Sequence, residues 1–130
     1  MIALDTNLLA RLLLNDDAAQ HGRARALLAS AQVFTAPVTV ILELVWVLEA
    51  NDCSVADIGR GLTLLLNLPN FKAAEMPALQ SALRDYGQGM DFADALHLAL
   101  CRADDGLMTF DKAFARKAAK FGASPAVLLA

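Results

Sequence analysis

The chain has 130 residues, enough for one domain and too few for two ordinary ones. Its net charge of −3 argues against a protein that holds nucleic acid by phosphate neutralisation alone, but not against an enzyme whose carboxylates are balanced by metal ions. Two cysteines, Cys53 and Cys101, are too few for a disulfide framework and point to a reducing cytoplasm.

The start, Met1-Ile-Ala-Leu-Asp5, shows no basic leader and no cleavable apolar stretch, so no signal peptide is expected. The longest apolar run, Ala36 to Ala50, is interrupted by Glu43 and Glu49 and is too short and too charged to span a bilayer. Hydrophobic residues make up 57% of the chain, more than one small core needs. Some apolar surface is therefore expected in an interface with another chain, most simply a two-fold homodimer involving the helix that carries Trp46.

In chain order, Met1 to Leu4 reads as a strand ending at Asp5. Thr6 to Leu14 reads as a helix closed by the Asn15-Asp16-Asp17 turn, and Ala18 to Ala31 as a second helix. Val33 to Ala36 is a strand. Pro37 then stands where a helix begins, and Val38 to Ala50 follows as that helix. Ser54 with Asp57 resembles a capping box opening a helix to Leu66. Phe71 to Ala74 is a short strand, and Pro77 opens a helix ending near Gly87 and Gly89. Asp91 caps a helix to Ala103, Gly106 to Phe110 is a strand, Lys112 to Phe121 a helix and Ala126 to Leu129 the last strand. Strands separated by helices require crossovers, hence parallel pairing in an α/β fold. In such sheets ligands bind beyond the C-terminal strand ends, where Asp5 and Asp111 stand.

The acids carry the chemistry. Glu43 lies in a helix that is apolar almost all round, so burial is expected to strip its carboxylate of water and oblige it to find a cation, a metal or a proton. A structural ion pair would serve equally. Asp94 falls in the first turn after Asp91, where an acid favours the helix dipole; Asp5 and Asp111 are also in capping positions. Each is explicable alone as a cap. Converging at one end of the sheet, however, the four would repel unless cations were present, and at least one should hold its proton more tightly than usual. All-oxygen ligation suits Mg²⁺ or Mn²⁺ rather than zinc. His97 and Cys101, four apart with no second pair, read as a packed helix face, and His21 has no evident partner. Arg11, Lys112, Arg116, Lys117 and Lys120 are either a solvated face or a phosphate-contacting rim beside the acids.

These segments, Met1-Ile-Ala-Leu-Asp-Thr-Asn-Leu-Leu-Ala-Arg11, the Glu43 helix, Asp91-Phe-Ala-Asp-Ala-Leu-His-Leu-Ala99 and Met108-Thr-Phe-Asp-Lys-Ala-Phe114, come in one order along the whole chain. In them the chain resembles PIN domains, in particular the VapC toxins of bacterial and archaeal VapBC toxin–antitoxin pairs. The resemblance implies a single PIN domain over residues 1–130, a three-layer fold with a central parallel sheet flanked by helices, and an acidic pocket. It maps the catalytic and metal-binding acids onto Asp5, Glu43, Asp94 and Asp111. It implies Mg²⁺-dependent endonucleolytic cleavage of RNA, with Mn²⁺ able to substitute, and inhibition by a VapB-like antitoxin. Asp5 and Asp94 are expected as direct ligands, and Glu43 and Asp111 as ligands of a second ion or as groups that orient water. Thr6, Asn7, Asp91 and Thr109 are expected to support the ligands from outside. The alternatives are an inactive PIN-like binding module and a phosphatase of the haloacid-dehalogenase type. The latter wants an Asp where Asn7 stands. A response-regulator receiver domain lacks its acidic pair.

Overall fold

The computed structural model describes all residues, 1–130. The chain is mixed α/β with seven helices and parallel strands, as the alternation predicts. Its contacts cluster into two compact units, Met1–Met76 and Pro77–Ala130.

In the first unit, β1 (Ile2–Ala3) pairs in parallel with β2 (Phe34–Thr35), with Ile2 opposite Phe34 and Ala3 opposite Thr35. The connection between them is made by α1 (Thr6–Leu14) and α2 (Ala18–Leu28), which pack on each other. The turn between these helices forms where expected. Asn15 takes the left-handed conformation (φ 52°) that ends α1, one Asn tolerates better than most residues. Asp17 then caps α2 by accepting the Gln20 backbone N–H at 3.0 Å. α2 stops three residues earlier than its composition suggests. The Ser30 hydroxyl donates to the Leu27 carbonyl at 2.6 Å, turning the chain away from the helix. His21, which shows no partner in sequence, faces the Arg11 carbonyl through Nδ1 at 3.0 Å.

Two further helices complete this unit, α3 (Val38–Ala50) and α4 (Val55–Leu66), and both begin and end where predicted. Ser54 accepts the Asp57 N–H at 3.1 Å, the first half of the expected capping box. The stretch after α4 departs from its prediction. Phe71 makes only a single bridge to Phe34, flanked by Phe34 N–H to Asn70 O (2.7 Å) and Lys72 N–H to Phe34 O (2.8 Å). Lys72 is already exposed, so nothing apolar extends the strand.

The second unit holds α5 (Met76–Gly87, of which Met76 belongs to the first unit), α6 (Phe92–Leu100), β3 (Leu107–Thr109), α7 (Lys112–Phe121) and β4 (Val127–Leu129). β3 and β4 pair in parallel, Leu107 with Val127 through Thr109 with Leu129, and α7 is the crossover between them. Gly106 permits the close approach at the start of β3. A Cβ there would lie 3.0 Å from the Leu128 side chain and 3.2 Å from the Ala126 carbonyl. α6 ends three residues short of Ala103. The Cys101 carbonyl accepts the Asp104 N–H at 2.8 Å and closes a turn.

Leu44 on α3 is fully buried, and truncating it leaves a cavity that neighbours fill only in part. Leu44→Ala should cost about 2–5 kcal/mol, read from the shift in urea midpoint at unchanged slope. A cost near zero would show that α3 is not packed as described.

Candidate metal centre

In the second unit the acidic residues come together. The backbone enters α6 at Asp91, whose Oδ2 accepts the Asp94 N–H at 3.1 Å. It enters α7 at Asp111, whose Oδ1 accepts the Phe114 N–H at 3.0 Å. Both helix starts present N–H groups and a positive dipole end, so each tolerates carboxylates that would otherwise repel. Thr109, the last residue of β3, accepts the Asp111 N–H through Oγ1 at 3.0 Å and orients that turn. Asp94 and Asp111 face one open pocket of about 200 Å³, lined also by His97, Leu107, Met108, Thr109 and Phe114.

Asp94 holds its proton more tightly than a free aspartate. Partial burial is the main cause, followed by the negative charges of Asp91 and Asp111; His97 and Lys117 oppose the shift. A raised proton affinity is the direction a crowded acidic set implies, although lost hydration outweighs repulsion as its cause.

The first unit places the remaining residues differently. Asp5 is exposed and caps α1, its Oδ1 accepting the Leu8 N–H at 3.1 Å. With Asn7, Leu8, Arg11, Gln20 and Arg23 it lines a pocket of about 340 Å³ between α1 and α2. Thr6 is buried at the start of α1. Arg11 is ion-paired with Asp16, which holds the Asp16 carboxyl below its usual range, so its charge is already matched. Glu43 does not lie where its sequence context indicates. α3 buries only the stripe Ile41, Leu44, Val45 and Leu48; Glu43 and Trp46 are exposed, so the Glu43 carboxylate keeps its water.

The basic residues of α7 split. Lys112 and Arg116 are exposed, whereas the Lys117 ammonium donates to the Gly89 carbonyl at 2.9 Å. His97 corrects a second expectation. It is exposed on the pocket that Asp94 and Asp111 share rather than packed within a helix face. Its place three residues after Asp94 was the available signal, because that spacing puts both on one side of α6.

Residues 2–120 match the PIN domain family model, and the chain belongs to the PIN domain family. Proteins of this family are in general nucleases, hydrolases of nucleic acid that typically use divalent metal ions. Comparison with curated proteins finds no match. The donor set of the second-unit pocket fits such an ion. Its oxygens are the Asp94 and Asp111 carboxylates and the Thr109 hydroxyl, donors of the kind such an ion prefers, and the His97 imidazole stands beside them on the same pocket. Within neither unit do three or more His, Cys, Asp or Glu side chains stand in an array that would hold a metal ion.

Because the folded state binds the Asp94 proton more tightly than the unfolded chain, this group's contribution to stability is fully present below the ordinary aspartate range. It is lost as pH rises through the raised value. In metal-free buffer Asp94→Asn should therefore be at least as stable as wild type at neutral pH, and the difference should shrink toward about pH 3. Thermal melts across that range measure it. A variant markedly less stable at pH 7 would show that the carboxylate is favourably placed without metal.

Proposed function

We propose that the protein is a Mg²⁺-dependent endoribonuclease, the toxin of a type II toxin–antitoxin pair of the VapC kind, with Mn²⁺ able to replace Mg²⁺. The observation that carries this reading is the shared pocket of Asp94 and Asp111, where partial burial and the neighbouring acids Asp91 and Asp111 raise the proton affinity of Asp94. Asp94 and Asp111 would be ligands there. By the family motif Asp5 and Glu43 are the further acids of this reading; Asp5 follows β1 as Asp111 follows β3. A bound divalent ion supplies charge neutralisation at the scissile phosphate and an acidified water.

The chain's own groups supply position. Asp91 and Thr109 fix the two helix starts, so that Asp94 and Asp111 meet a substrate already oriented. Asp111 spends Oδ1 on the Phe114 N–H and keeps Oδ2 to accept from water or hold a ligand. Hydrolysis adds water across the phosphodiester. Its oxygen forms the new P–O bond, the bond to the leaving ribose oxygen breaks, and that oxygen takes a proton. Exposed Lys112 and Arg116, on the helix that begins at Asp111, are suited to flanking phosphates.

The family match runs through both units, which supports a single PIN domain over the whole chain. No helix is long and apolar enough to cross a membrane, and both cysteines are unpaired, in keeping with action in the cytoplasm. The further partners in this reading are a VapB-like antitoxin and a second copy of the chain. Trp46 on α3 is 53% exposed and Leu64 on α4 is 71% exposed, apolar area that a dimer would cover.

Purified protein should cleave total RNA in Mg²⁺ and leave it intact in EDTA. Asp94→Asn and Asp111→Asn, which keep a polar group at each helix start, should lower the rate by about 100-fold or more. Wild-type rates in both variants would reduce these acids to caps. Sedimentation should show a dimer, shifted toward monomer by Trp46→Glu; an unchanged species would place the contact elsewhere.

A further inference from the structure

Within the nuclease reading, on which this inference rests, the pocket of the second unit has acids to hold a cation but needs something to hold the anionic strand. Of its lining side chains, Asp94 and Asp111 repel phosphate, while Leu107, Met108 and Phe114 are apolar. The Thr109 hydroxyl oxygen already receives the Asp111 N–H. The α7 ammonium that acts on Asp94, Lys117, is held by the Gly89 carbonyl. His97 is the one nitrogen donor on the pocket wall, and it is exposed.

Its ring nitrogens make no hydrogen bond, and His97 belongs to no group of residues arranged to hold a metal. An imidazole offers at least one N–H in either protonation state, so the donor does not depend on titration. Its distance from Asp94 along the chain is one helical turn, and the two rise on the same side of α6. A donor so placed is within reach of a group bound beside Asp94. We propose that His97 is a substrate-contacting residue, donating a hydrogen bond from its ring N–H to a non-bridging oxygen of the RNA phosphate bound over Asp94 and Asp111.

The test compares wild type, His97→Ala and His97→Gln by two measurements: steady-state cleavage of a fluorophore-labelled single-stranded RNA in Mn²⁺, and the rise in Tm that Mn²⁺ produces in each protein. Losing one hydrogen bond to a charged acceptor should lower kcat/KM of His97→Ala by about tenfold or more. His97→Gln, which retains a side-chain N–H, should recover part of that loss. The Mn²⁺-induced rise in Tm should be equal in all three, because the metal ligands are untouched. Wild-type kcat/KM in His97→Ala overturns this inference alone. A lost Mn²⁺ response in that variant overturns it in favour of a metal ligand. Intact RNA with the wild-type protein overturns the nuclease reading, and this inference with it.

Discussion

A carboxylate at the junction between a strand and the helix that follows it does two things in this chain, and the arrangement of the acids depends on that double use. The free N–H groups at a helix start need acceptors, and an aspartate satisfies them while the helix dipole offsets its charge. Asp5 and Asp111 each follow a strand and cap the next helix, Asp5 through Leu8 and Asp111 through Phe114. Because parallel strands all end on one side, such junctions place acids on the ligand-binding side of each ladder without any special backbone. The same side chains thus stabilise the helix starts and, in the proposed reading, carry the chemistry of the site.

The second unit shows how far this can be taken. Asp91 uses its carboxylate on the Asp94 N–H, which leaves the Asp94 carboxyl to face the pocket partly dried and close to like charge. A carboxylate in that position is disfavoured relative to its protonated form, and the proposed cation would relieve this. The neighbouring helix moderates the imbalance. Lys117 lies near enough to pull the Asp94 proton affinity down, yet its ammonium is held by a backbone carbonyl rather than by the carboxylate itself. The carboxylate is eased without being consumed.

Most elements were legible from sequence because their signals are local. Asp5, Asp17, Ser54, Asp91 and Asp111 each cap the helix predicted to follow them, and Asn15 ends α1 in the conformation that few other residues adopt readily. The misjudged ends are those decided by neighbouring groups rather than by composition. α2 is closed by the Ser30 hydroxyl, and the strand expected over Phe71 to Ala74 shrinks to one bridge because only Phe71 is fully buried there.

The sequence by itself determined most helix starts, the parallel strand pairing and the family, since capping chemistry and motif order are written in neighbouring residues. What surrounds each side chain was left to the tertiary structure. Glu43 sits in a helix apolar enough to suggest burial, but α3 covers only one stripe and leaves this carboxylate in water. His97 occupies an apolar helix face in the linear pattern, yet it opens onto the pocket of Asp94 and Asp111. Burial depends on which elements pack against a helix and over what width, and no local pattern encodes that. Asp94's hold on its proton has the same origin, because it comes from lost hydration and from a charge seventeen residues away at Asp111, brought near only by folding.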